Sequence, residues 1–259
     1  SYYGNLVKDI LERFLAKGAL DDMVAAYEKS LNQDGGEKPH LRLAFAHAYK
    51  QAGQEAKRLQ QLRIAANLLP KDAEMRKEIV NGYAALKDAG GQLAAYLEWS
   101  KFDPQNLDVY AGLGEVYWTS GRRDEALRVW ATLPQVRPRE AEGYRAYAQK
   151  LVFAGLREEA AGNFRKAIRY RPTEHTLSAE LAGLYEALGQ HEKVAPLWAD
   201  GEAACRKAML DFGDDPQPWL NLARFLTSQG RRADAREHLH RVLSKNWPRF
   251  QSETYQDAR

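Results

Sequence analysis

The run Gly112-Leu113-Gly114 is the first stretch whose residue types could do chemistry, because closely spaced glycines at the mouth of a helix can cradle a dinucleotide's phosphates. That use needs a third glycine at position 117 and a strand ahead of the loop. Position 117 is tyrosine and the surrounding pattern is helical, so the phosphate-loop reading fails. His40 and His47 lie seven apart and would share a helix face, yet no carboxylate or third ligand accompanies them at a metal-like spacing. His238 and His240 fall on different faces. Cys205 has no base partner in sequence, and no Ser or Thr sits in a G-x-S-x-G elbow. Asp124-Glu125 and Glu158-Glu159 read as first-turn acids that complement a helix dipole. No catalytic residue, cofactor or metal is expected, and the chain is read as a non-enzyme.

The bulk composition agrees with a folded chain. The chain has 259 residues, 44% apolar and 28% charged, enough for one large domain or two ordinary ones. Its 38 basic and 35 acidic residues leave a net charge of +3, too balanced to call for nucleic acid. The single cysteine excludes an intramolecular disulfide and a cysteine-based zinc cluster, and it fits a cytoplasmic and a periplasmic home equally. No stretch approaches the roughly eighteen apolar residues of a membrane span. The first residue is Ser1 rather than methionine, so the chain is expected to be a piece of a longer protein. Abundant Arg and Ala with scarce Ile point to a bacterial source.

The elements that must position any site are marked by a ruler. Pro70, Pro104, Pro138 and Pro172 stand 34 residues apart, and Gly121, Gly155 and Gly189 repeat the same step, as do Tyr83 and Tyr117. A fixed period of this length is the signature of a solenoid of stacked repeats. Within a unit, apolar residues recur at three- and four-residue steps on either side of a glycine, as in Tyr110, Leu113, Tyr117 and then Ala126, Leu127, Trp130. That is one face of each of two short helices. Gly114 and Ala126 are expected where the two helices approach most closely.

The order Tyr110-x2-Leu113-Gly114-x2-Tyr117, then Gly121, Ala126-x3-Trp130 and Pro138, followed by Tyr144, Tyr147, Ala148, Leu151, Gly155, Ala160, Phe164 and Pro172, resembles the tetratricopeptide repeat family. The resemblance implies an all-α, right-handed α-solenoid of about seven helix hairpins in a single domain spanning 1–259. The units are 4–38, 39–72, 73–106, 107–140, 141–174, 175–215 and 216–249, with 250–259, including Phe250 and Tyr255, as the start of a capping helix or tail. Two units depart from the pattern. In the third, Lys87 stands where its neighbours have glycine and Gly90-Gly91 come late, which predicts a longer first helix. The sixth has 41 residues, and its Pro196 and Gly201 are expected to kink or split the extended helix.

The resemblance further implies a protein or peptide partner held in a groove lined by the first helix of each unit. The partner-binding candidates are Lys77, Asn81, Glu115, Trp118, Arg145, Gln149 and Phe153. Lys77 and Asn81 match the start of the family's carboxylate clamp. Gly112, Glu142 and Ala146 fail the rest of it, so a complete clamp is not expected. The expected role is a scaffold in a bacterial assembly, secretion or regulatory system. Two alternatives stay open: an RNA-binding repeat using Arg122, Arg123, Arg128, Arg137, Arg139 and Arg145, and a self-associating domain that pairs through exposed solenoid ends and targets an enzyme.

Overall fold

In the computed structural model, residues 2–34, 36–213, 215–244 and 247 are described, with the backbone alone described at 2–8 and 32–34. Phe250 and Tyr255 lie outside the described residues. All regular structure among these residues is helical. The chain divides into two compact units, Ser1–Val129 and Trp130–Arg259.

The first unit runs α1 (Tyr2–Ala16), α2 (Leu20–Asp34), α3 (Pro39–Gln51), α4 (Glu55–Leu68), α5 (Ala73–Ala85), α6 (Ala89–Phe102) and α7 (Leu107–Thr119), and then enters α8 (Arg123–Trp130). Its core is shared between neighbouring hairpins. Ala46 of α3, Leu59, Leu62, Ala65 and Ala66 of α4, and Met75 and Ile79 of α5 form one buried cluster, and Val80, Trp99 and Val109 form the next. A lone hairpin would leave these faces wet, so each pair is stable only with its neighbour in place. Helix starts are fixed locally: the carboxylates of Asp72 and Asp88 accept from the amides of Met75 and Gly91, at 3.0 and 2.8 Å.

The second unit runs α9 (Leu133–Val136), α10 (Ala141–Phe153), α11 (Arg157–Tyr170), α12 (His175–Ala187), a 3-10 turn at His191–Lys193, α13 (Val194–Asp211), α14 (Gln217–Ser228) and α15 (Arg232–Ser244). Ala141, Ala167 and Leu177 again join three successive helices, and Cys205, Leu222, Phe225 and Ala235 do so further along.

Most first helices end in a left-handed residue whose own amide and the next one fold back on the helix. Gly53, Gly121, Gly155 and Gly189 have φ between +67° and +83°. Lys87 takes the same place with φ +56°. Its bonds, Lys87 N to Ala84 O and Asp88 N to Tyr83 O, both 2.9 Å, repeat those of Gly121 and Arg122. The expected lengthening of the third unit's first helix is therefore corrected: α5 has 13 residues like α3 and α7, because a lysine accepts the glycine's conformation. Gly90 and Gly91 fall inside the first turn of α6 instead.

Two other expectations also change. The sixth unit's second helix is neither split nor broken by Pro196. That residue stands in the first turn of the unbroken 18-residue α13, where a proline's missing amide costs nothing, and Gly201 lets Phe225 of α14 press against the helix. The break falls in the fourth unit. Pro134 cannot donate back to Trp130 and its ring would meet that carbonyl, so the helix stops and restarts as the four-residue α9. At the Gly112-Leu113-Gly114 run, Gly112 lies against the hydroxyl end of Tyr96 from α6, where any side chain would collide, while Gly114 is buried in α7.

Candidate functional site

Arg145, Gln149 and Phe153 lie along α10 at four-residue steps, so they form one stripe on the helix. Arg145 donates through Nε to both carboxylate oxygens of Glu180 on α12, at 3.0 and 3.3 Å, and its Nη2 also reaches Glu180. Gln149 adds its amide to the same carboxylate at 3.3 and 3.4 Å. The fork of the guanidinium thus spans from the first helix of one hairpin to the first helix of the next. Two of the residues read from sequence as partner contacts are occupied within the chain, and Glu180 is the group that joins them. Phe153 differs. It is 58% exposed, and its ring meets the fully buried Trp130 edge-on at 6.1 Å. That contact packs the phenyl ring against the core while more than half of the residue stays exposed.

The other four candidates belong to the first unit. Lys77 and Asn81 are exposed on α5, and Glu115 is exposed on α7. Trp118 is half-buried, and the Arg123 guanidinium stands 5.2 Å from its ring. The seven candidates therefore divide into two sets, one in each unit.

Three buried arginines carry charge that was not anticipated. Arg42 is 3% exposed and donates to Glu37, Glu28 and Gln61 at 2.6, 2.9 and 2.8 Å. Arg58 pairs with Glu55 and Glu78. Arg76, 4% exposed, donates to Glu98 at 2.8 Å and to the Pro70 carbonyl at 3.2 Å, with its guanidinium 4.3 Å from the Phe102 ring. Arg42 and Arg76 stand at the repeat position that holds Tyr110 and Tyr144 in later hairpins. That substitution of a charge for an aromatic in two consecutive units was the available signal.

Among the described residues, burial is the main cause of the shifts at the one cysteine and at two histidines. Burial pushes the Cys205 thiol up to about 12, so it is protonated and unreactive near neutral pH. Burial lowers His175 and His238 from the ordinary imidazole value. Among the described residues no three His, Cys, Asp or Glu side chains gather as a metal site requires, and no helix is long and apolar enough to cross a membrane.

Left-handed turns at 53, 87, 121, 155 and 189 close five successive helix pairs on one 34-residue period. The fold is that of the tetratricopeptide-like repeats. No family model and no curated protein matches the chain. Among solved structures, a tetratricopeptide repeat protein from Parabacteroides merdae is similar over 100% of this chain and 98% of its own, at 15% identity and a TM-score of 0.43. Two MamA structures are similar at 18% identity. One covers 64% of this chain and 92% of its own with a TM-score of 0.36, and the other, the RS-1 double mutant, covers 66% and 97% with 0.43. The tetratricopeptide-like assignment rests on the chain's own hairpins and their register.

Proposed function

We propose that the chain is a non-catalytic protein-interaction module that displays the exposed face of its first helices to a peptide or partner protein, within a bacterial assembly, secretion or regulatory system. The observation that carries this reading is Phe153: a large apolar side chain held rigid against buried Trp130 while most of its surface meets water. Large side chains that become fully buried at the centre of a protein interface act as its anchors, and truncating such a hot spot costs about 2 kcal/mol or more of binding energy. Beside it, the Arg145, Gln149 and Glu180 network supplies a polar rim with both donors and acceptors. Trp118 and Glu115 on α7, with Lys77 and Asn81 on α5, are proposed as a second set of contacts in the first unit. The repeat pattern itself supports display over catalysis, since its period is spent on packing and its outward positions vary freely from hairpin to hairpin.

The test compares Phe153→Ala, Trp118→Ala and the parent for affinity to a partner recovered by the parent, after circular dichroism has shown equal helicity. Loss of binding in Phe153→Ala supports the reading. Unchanged affinity in both variants removes these residues from the interface.

A further inference from the structure

A cavity of about 70 Å³ lies in the first unit between α4, α5 and α6. Its polar walls are Arg63 and Asn67 of α4, Arg76 and Tyr83 of α5, and Glu98 of α6. On this measure a single water needs roughly 10–15 Å³, so the space exceeds one solvent molecule. Arg76 is the unusual member. Its Nε bonds the Pro70 carbonyl and its Nη1 bonds Glu98, but its Nη2 is buried and has no hydrogen-bond partner. A buried charged donor without an acceptor is costly, and an ion that supplies the acceptor removes that cost. Arg63 reaches across the same space and donates to the Tyr83 hydroxyl at 3.2 Å, leaving that hydroxyl's own proton to donate elsewhere. The two arginines carry one more positive charge than Glu98 balances. Gly91 of α6 lets the Tyr83 ring close one wall, since a side chain there would collide with it.

We propose that this cavity is a binding site for a small oxyanion group, a carboxylate or a phosphate, which accepts from Arg76 Nη2, Arg63 and the Tyr83 hydroxyl. A guanidinium fork and a phenol give an oxyanion several charge-assisted donors within one small space, and an arginine presents them with its geometry already fixed. Water alone would satisfy Nη2 without balancing the charge. The site lies on α4, α5 and α6, away from the α10 stripe, and stands whether or not that stripe binds a protein.

The experiment titrates the full chain with sodium phosphate and, separately, with sodium acetate, each against sodium chloride at equal ionic strength. The readouts are the Arg76 side-chain Nε–Hε resonance and the melting temperature. The expected result is a saturable shift of that resonance and a raised melting temperature with phosphate or acetate, absent with chloride; the anion that saturates identifies the headgroup. Arg63→Gln, at an exposed position, and Tyr83→Phe should each weaken binding by about tenfold, the usual loss for one such bond. Arg76→Lys, which keeps the charge and removes Nη2, should do the same. No saturation with either anion, or equal affinity in Arg63→Gln and the parent, overturns the proposal.

Discussion

Arg145 on α10 and Glu180 on α12 face each other across two successive first helices, with both oxygens of the carboxylate held by one guanidinium. This pairing ties neighbouring hairpins together on the surface that the partner reading uses. Both side chains are about one-third exposed, so solvent screens the pair and it contributes modestly, about 0.5–1 kcal/mol. A double-mutant cycle with Arg145→Ala and Glu180→Ala, measured by urea unfolding, should return a coupling in that range that shrinks in high salt. A coupling of zero would mean that the network forms without holding the helices.

The left-handed turn at Lys87 carries strain that its glycine counterparts avoid. With φ +56°, its side chain sits in a conformation that costs a non-glycine residue about 1 kcal/mol. Lys87→Gly should therefore raise stability by about 0.5–1 kcal/mol even though glycine loosens the unfolded chain. Chemical denaturation checks the sign. A destabilised variant would show that the lysine's contacts outweigh the backbone strain.

Gly143 of α10 lies under the short helix α9, where a methyl group would stand 2.8 Å from the Leu133 carbonyl oxygen and 3.1 Å from the Pro134 Cα. Backbone cannot swing aside as a side chain can. Gly143→Ala should cost about 1–3 kcal/mol, the usual range for overpacking, whereas Gly112→Ala, which meets only the movable end of Tyr96, should cost less. Equal thermal melts for Gly143→Ala and the parent would contradict this packing of α9 on α10.

His175 is held below the ordinary imidazole value chiefly by burial, with Arg224 adding to the effect and Glu174 opposing it. Its neutral form is favoured in the fold, so the unfolded chain binds the proton more readily. Stability should be complete above the unfolded value of about 6.5 and fall as pH drops below it, levelling off once the folded histidine titrates. His238 contributes with the same sign. Melting temperatures from pH 7.5 to 5 should decline, and less steeply in His175→Gln. A parent curve that rises on acidification would refute the assignment.

The architecture was legible because packing repeats. Proline and glycine marked the helix ends, and Tyr, Leu and Ala at helical spacing marked the faces that α3 to α7 and α10 to α12 bury. What stayed hidden depended on the energetics of single positions. Lys87 was read as lengthening a helix because a lysine seldom accepts a left-handed backbone. Pro134 escaped notice as a break because Pro138, four residues on, already kept the period. The candidate site was legible as a helix face and illegible as a network: the stripe of 145, 149 and 153 follows from the helix period, but the pairing with Glu180 depends on how α12 lies beside α10. The buried arginines went unseen because periodic reading looks for apolar residues inside, and Arg42 and Arg76 take the place of aromatics.

The most direct test of partner display is site-specific photo-crosslinking in cells of the source organism. A photoreactive phenylalanine analogue at position 153 on α10 is compared with one at Arg165, exposed on α11 of the same hairpin. The account predicts a discrete, partner-sized adduct from position 153 and none from position 165. No adduct from 153, or the same adduct from both positions, would contradict it.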